Sequence, residues 1–185
     1  MKTALLIIDI QNDYFPGGKM ELIGSVEASL MAAKLLDYFR KSGLPVVHVQ
    51  HLSVREGSTF FIPGTSGVEI HANVSPVSGE KVIQKYFPNS FRDTGLAEYL
   101  KENEIDKLVI CGMMTHMCID TTTRAAFDLG FTCLLASDAC ATRDLQGIDG
   151  RIISSDQVHH AFIAALGMVF AKAAPTDEIL DLIKK

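Results

Sequence analysis

Residues 109–131 read VICGMMTHMCIDTTTRAAFDLGF, and this stretch decides the fold. Leu108-Val109-Ile110-Cys111 is a short apolar run without alternation, the pattern of a strand buried on both faces. Gly112 to His116 is a tight passage. From Met117 the spacing turns helical, through Thr121, Arg124-Ala125 and Asp128, and Gly130 stands where a C′ glycine ends a helix. Thr115 or His116 is the expected cap. Cys118 thereby falls in the first turn of a helix that follows a buried strand. A helix start presents free N–H groups and partial positive charge. Both favour a thiolate, the nucleophilic form, and the same N–H groups can hold an oxyanion. Position alone leaves the bland alternative open, because free cysteine is a common and inert core residue.

Working outward from this stretch, Thr3 to Ile8 is another continuous apolar run, and it ends at Asp9. That pattern predicts a central parallel strand with a carboxylate at its C-terminal end, the edge where open α/β sheets bind ligands. Gln11 to Gly18 is a loop by its Pro-Gly-Gly break, with Tyr14 and Phe15 either walling a pocket or folding onto the core. The spacing predicts an amphipathic helix over 25–42, capped by Ser25 and ended by Gly43, then a strand over 45–50. Residues 51–81 carry four glycines (57, 64, 67 and 79) and two prolines (63 and 76) and no convincing long element. A loop of that length in a compact fold is usually functional or mobile. Lys81 to Lys85 is a short strand with Lys85 at its end, followed by an aromatic loop over 86–91 and a helix from Thr94 to about Asn103.

Downstream of Gly130, residues 131–137 form a further buried strand, and Asp138 leaves it as a loop cap. Residues 142–150 read as a polar loop. A helix begins at Ser154 or Ser155, carries His159 and His160, and ends at Gly167. Met168 to Ala171 is the expected sixth strand, and Pro175-Thr176-Asp177 starts a last short helix. Strands alternating with helices predict a three-layer α/β/α, Rossmann-like fold around a mostly parallel sheet of about six strands. No repeat or linker divides the chain, so residues 1–185 read as one domain.

Composition narrows the partners. The chain has 185 residues, 48% hydrophobic and 21% charged, with a net charge of −5 and no Lys/Arg cluster. Nucleic acid and anionic membranes are therefore poor partners. No apolar run approaches the roughly 20 residues of a membrane span. A strand begins directly after Met1-Lys2 with no cleavage site, which reads as a cytoplasmic protein. Cys111, Cys118, Cys133 and Cys140 form no CxxC pair, and Cys111, Cys133 and Cys140 read as reduced structural thiols. His48 and His51 lie three apart on one strand, on opposite faces, so they do not form a metal pair. If the strands ending at Asp9, Lys85 and the Cys118 turn are neighbours near the sheet centre, an acid, a cation and a nucleophile converge at one edge. That is the arrangement covalent catalysis needs.

IIDIQNDYFPGG over 7–18, Lys85 before an aromatic loop, CGMMTHMCIDTTTRAAFDLGF over 111–131 and SDACAT over 137–142 together resemble the isochorismatase-like cysteine hydrolase superfamily. The resemblance spans nearly the whole chain. Its members include nicotinamidases, N-carbamoylsarcosine amidohydrolases, ureidoacrylate and biuret hydrolases, and isochorismatases. It implies a catalytic triad of Asp9, Lys85 and Cys118. It implies a cis peptide between Met113 and Met114 that sets the Met114 N–H beside the Cys118 N–H as an oxyanion hole. It implies pocket residues at Tyr14 and at Phe60 or Phe61, with Gln11 from the same N-terminal motif, and assembly as a homodimer or homotetramer. The implied activity is hydrolysis of a C–N bond in a small amide, ureido or carbamoyl compound through a thioester. Two alternatives are a vinyl-ether hydrolase of the isochorismatase type and a non-catalytic binding module. Metal-containing nicotinamidases carry Asp-x-His after the second strand, where this chain has His51-Leu52-Ser53, so no metal and no cofactor is expected.

Overall fold

The computed structural model describes residues 2–184. In chain order its strands are β1 (Lys2–Ile8), β2 (Val46–His51), β3 (Lys81–Lys85), β4 (Ile105–Met113), β5 (Thr132–Ala141), β6 (Leu145–Gln146), β7 (Ile152–Ile153) and β8 (Lys172–Ala174). Six of them form one sheet in the order β3-β2-β1-β4-β5-β8, with every neighbouring pair parallel. The helices are α1 (Ser25–Lys41), α2 (Leu96–Glu102), α3 (Asp120–Asp128), α4 (Ser155–Val169) and α5 (Thr176–Ile183). The expected three-layer α/β/α architecture is therefore present.

Alternation along the central strands creates the layers. Leu5 and Ile7 of β1, with Val109 and Cys111 of β4, pack against Ala32, Leu35, Leu36 and Phe39 of α1 and Ile179 of α5. Ala4, Leu6 and Ile8, with Leu108 and Ile110, face the opposite way onto Leu96 and Leu100 of α2, Ala126 of α3 and Leu166 of α4. Residues i and i+2 share a face in a strand, and here both faces are covered, hence the unbroken apolar runs. Gly112 is required where β4 passes β1. Its φ is +130°, and a Cβ there would lie 1.9 Å from the Ile8 carbonyl oxygen.

Several expected boundaries move. The sixth strand of the sheet is Lys172–Ala174, not Met168 to Ala171. Gly167 does not take the left-handed conformation that ends a helix. α4 instead runs on until the N–H groups of Phe170 and Ala171 both reach the Leu166 carbonyl, at 2.9 and 3.0 Å. Met168 and Val169 are thus exposed residues of a helix end. Ser25 is not a cap: Gly24, at φ 74°, precedes α1, and Ser25 is its buried first residue. Ser154 does cap α4, through a full capping box with Gln157. Residues 142–150 are not wholly irregular, since β6 pairs with β7 in a small antiparallel hairpin. No helix among the described residues is long and apolar enough to cross a membrane.

Candidate active site

Asp9 follows β1 directly, and Cys118 lies in the turn after β4, the neighbouring strand. Lys85 ends β3, which is an edge strand separated from β1 by β2. The three strands are therefore not all neighbours at the sheet centre. Lys85 still arrives because its four-carbon stem reaches past the end of β2. Its Nζ lies 2.7 Å from Asp9 Oδ2, and both side chains are fully buried. It donates to Cys118 Sγ at 3.1 Å and to the carbonyls of Phe87 and Pro88 at 3.1 and 3.4 Å, and it lies 3.2 Å from His51 Nδ1.

The local chain conformation serves this meeting point. Asp9 has φ 51°, the left-handed region, which Asp tolerates better than most residues and which turns the chain sharply out of β1. The Met113–Met114 peptide is cis, as the family resemblance implies. The Cys118 turn, Thr115–Ile119, is a π turn rather than the start of a regular α-helix, and α3 continues from it. Thr115 Oγ1 lies 3.0 Å from His159 Nδ1, and His116 Nδ1 lies 2.6 Å from Thr142 Oγ1, so α4 and the segment after β5 clamp the turn. On its far side, Thr122 Oγ1 accepts from the Ser90 N–H at 3.0 Å. That bond pins the aromatic loop whose carbonyls hold the Lys85 ammonium.

Electrostatics decide the resting protonation. Burial pushes the Lys85 ammonium toward deprotonation, but the Asp9 carboxylate and the hydrogen bonds to Asp9 and Cys118 outweigh it and raise its pKa. Burial and the Asp9 carboxylate raise the Cys118 thiol well above its ordinary value, with Lys85 opposing in part. The helix-start argument for a standing thiolate is thus overruled by desolvation. Burial and the Asp9 carboxylate favour the thiol form of Cys118 beside the Asp9–Lys85 pair. Burial also lowers the His51 pKa, so its neutral ring can accept from Lys85.

Asp9, His51 and Cys118 offer metal-ligand atoms that all lie within 4.8 Å of one another. The Lys85 ammonium already stands 2.7 to 3.2 Å from all three residues, in the place where a cation would sit. His51 went unremarked as a member of this group in the sequence. Its position at the C-terminal end of β2, the same sheet edge, is the signal that pointed to it.

A cavity of about 270 Å³ opens at Cys118, lined by Tyr14, His51, Phe60, Tyr86, Met114 and Met117, with Ser53, Val54, Arg55, Ser58 and Pro88 completing it. Tyr14 and Phe60 line this cavity beside Cys118. Phe61 does not line the cavity. It is buried behind the other two rings, 4.5 Å from Tyr14 and 4.9 Å from Phe60 between centroids. Gln11 is not a pocket residue either. Its amide donates to the carbonyls of His51 and Val68 at 2.9 and 2.8 Å and accepts from the His51 N–H at 2.7 Å. Asp13 likewise accepts from the Phe61 N–H at 2.6 Å. The polar residues after Asp9 therefore stitch the first loop to the long 51–81 loop. Both N–H donors of this buried amide, and one acceptance at its oxygen, are used on backbone groups.

A family model described as the isochorismatase domain matches residues 3–174. The chain is 51% identical over 180 residues to the uncharacterized isochorismatase family protein YddQ of Bacillus subtilis, covering 97% of this chain and 99% of that one. A solved isochorismatase-type hydrolase from Oleispira antarctica superposes with a TM-score of 0.93 at 50% identity, covering 97% of this chain and 96% of that one. The structure of N-carbamoylsarcosine amidase from Thermoplasma acidophilum matches with a TM-score of 0.81 at 25% identity, over 96% of this chain and 98% of its own.

Proposed function

We propose that this protein, which belongs to the isochorismatase family of hydrolases, uses Cys118 to cleave a C–N bond in a small amide, ureido or carbamoyl compound. The observation that carries this reading is that Cys118, at the wall of a small cavity, has the Lys85 ammonium 3.1 Å from its sulfur, and that ammonium lies 2.7 Å from Asp9. The amidase from Thermoplasma supports the bond type. The buried, reduced cysteines fit a cytoplasmic setting, and one sheet bearing both core clusters fits one domain over residues 1–185.

In the reaction we infer, a substrate carbonyl enters the cavity and the Cys118 proton passes to Asp9. Lys85 stabilises the thiolate through its N–H···S contact. The thiolate attacks the carbonyl carbon, and the new oxyanion accepts from the Met114 and Cys118 N–H groups. The protonated Asp9 donates to the leaving nitrogen, so ammonia or an amine departs and a thioester remains on Cys118. Asp9, again a carboxylate, takes a proton from water as its oxygen attacks the thioester. Collapse releases the acid and the thiolate, which recovers the proton from Asp9. No net proton or electron is gained by the protein.

The test is ammonia release from a panel of small amides and ureido compounds, with wild type, Cys118→Ala and Asp9→Asn. Activity abolished by both substitutions, in variants that stay folded, supports the reading. Hydrolysis surviving Cys118→Ala sinks it and favours chemistry that needs no thiol.

A further inference from the structure

We propose that Met117 is the peroxide-sensitive residue at the mouth of the Cys118 cavity, and that its conversion to the sulfoxide reversibly restricts entry. The consequence for turnover rests on the proposed hydrolase reading; the chemistry of the side chain does not.

Three sulfur-bearing side chains line this one cavity: Met114, Met117 and Cys118. They are not equally open. Cys118 and Met114 are 6% and 7% exposed, whereas Met117 is 41% exposed. Elsewhere among the described residues, Met113 is fully buried, and Met20 and Met31 pack against the core. Met168 is exposed, but it lies near the end of α4 and outside the cavity. Met117 alone combines access to solvent with a place at the site. The cause is local. Thr115, Cys118 and Ile119 of the π turn are buried, and the Met117 N–H is tied to the Met114 carbonyl at 3.1 Å. The Met117 side chain is left on the open side of that turn.

Peroxide attacks the two kinds of sulfur by different rules. A cysteine reacts as its thiolate. Cys118 is enclosed, and burial and the Asp9 carboxylate push its thiol pKa up. A thioether has no proton to lose, so its oxidation follows exposure. In the step, the Met117 sulfur bonds to one oxygen of hydrogen peroxide and the O–O bond breaks. Sulfur is oxidised to the sulfoxide, and the other oxygen leaves as water with both protons. An apolar wall thereby gains a polar, hydrogen-bond-accepting oxygen. Val54, Phe60, Tyr86 and Met114 share that wall, in a cavity of only about 270 Å³. An entering molecule must then strip the oxygen of its water or leave it unpaired against an apolar group. The buried Asp9–Lys85 pair beneath is untouched.

The test treats wild type, Met117→Leu and Met168→Leu with graded hydrogen peroxide, quenches with catalase and maps each peptide by mass spectrometry. Access to Cys118 is read as the rate of its reaction with a maleimide, and turnover as ammonia release, each relative to the same protein untreated. Met117 and Met168 should gain one oxygen each before Cys118 or the buried methionines do. Oxidised wild type and oxidised Met168→Leu should lose maleimide reactivity roughly tenfold, the order expected for stranding one polar group at an apolar wall. In both, KM should rise by more than kcat falls. Met117→Leu should keep its own untreated values. Methionine sulfoxide reductase should restore the wild type, and dithiothreitol should not. Oxygen on Cys118 before Met117, losses that persist in Met117→Leu, recovery with dithiothreitol alone, or an unchanged maleimide rate with Met117 fully oxidised overturns the inference. The hydrolase reading is judged separately. If no protein turns over any substrate, that reading falls while the maleimide rates still decide this one. Turnover with an unchanged KM after full Met117 oxidation leaves the hydrolase reading standing while this inference falls.

Discussion

Replacing Lys85 with Met should damage stability more than replacing both Lys85 and Asp9. In the native protein the two charges lie 2.7 Å apart with both side chains fully buried. At an effective dielectric of about 20 their attraction is roughly 6 kcal/mol, most of it offset by the cost of taking both charges out of water. Lys85→Met alone removes the attraction and strands a buried carboxylate, a loss of about 3–5 kcal/mol. That is a large fraction of the roughly 5–15 kcal/mol that holds a typical domain folded. Asp9→Asn with Lys85→Met leaves two neutral side chains of similar volume, so most of the loss should be recovered. The assay is urea unfolding of the wild type, both single variants and the double variant at pH 7, treated as a thermodynamic cycle. Ammonia release is followed in parallel, and the double variant should regain stability without activity. The pair also sets a pH dependence. The folded Lys85 pKa is raised above its unfolded value of about 10.4, so its contribution is complete below that value and is lost as pH rises through the folded pKa. A double variant that loses the sum of the single losses would refute the view that the two charges act as one buried unit.

A second ion cluster gives the opposite pH dependence. Burial raises Glu80, but hydrogen bonds from Arg40, the Val77 N–H and His48 outweigh it and bring the carboxyl down to about 2. Its contribution is present above the ordinary value of about 4.5 and disappears as pH falls from there toward 2. Thermal melts of wild type and Glu80→Gln should therefore differ by on the order of 1–2 kcal/mol at pH 6, allowing for solvent screening, and converge near pH 2. Gln11→Ala strips three hydrogen bonds of 2.7 to 2.9 Å from the backbone of His51 and Val68. It should cost about 2–4 kcal/mol in urea unfolding. Because the 51–81 loop is then untied, protection of the His51 amide from hydrogen exchange should fall as well; unchanged protection would show that the stitch is not what holds that loop.

The sequence carried the layers and most of the site because those rest on local patterns. The apolar runs ending at Asp9 and Lys85 and the strand–turn–helix around Cys118 are each visible within about a dozen residues. Strand order is not local. Nothing near Lys85 says that β3 lies at the sheet edge, and only the assembled sheet shows a long side chain bridging past β2. Gly167 misled for a related reason: a glycine in a helical pattern has the same letter whether it ends the helix or lies within it. Met168 and Val169 looked like strand because they are apolar, yet they are 83% and 61% exposed at a helix end. Gln11 stands in the same motif as Asp9 and was grouped with the site, whereas its amide is consumed by backbone groups some 40 to 57 residues away in sequence. The protonation of Cys118 was also beyond local reading. Its helix-start position argues for a thiolate, whereas the burial around it pushes the thiol pKa up.

The central claim is that Cys118 becomes acylated after giving its proton to Asp9. Acid-quenched mass spectrometry of the protein mixed with the best amide or ureido substrate tests it most directly, with peptide mapping in wild type, Asp9→Asn and Cys118→Ser. An acyl mass is expected on the peptide containing Cys118 in wild type, and none in Asp9→Asn or on that peptide in Cys118→Ser. Steady turnover with no adduct on Cys118 at any quench time, and with activity kept in Cys118→Ser, would contradict it.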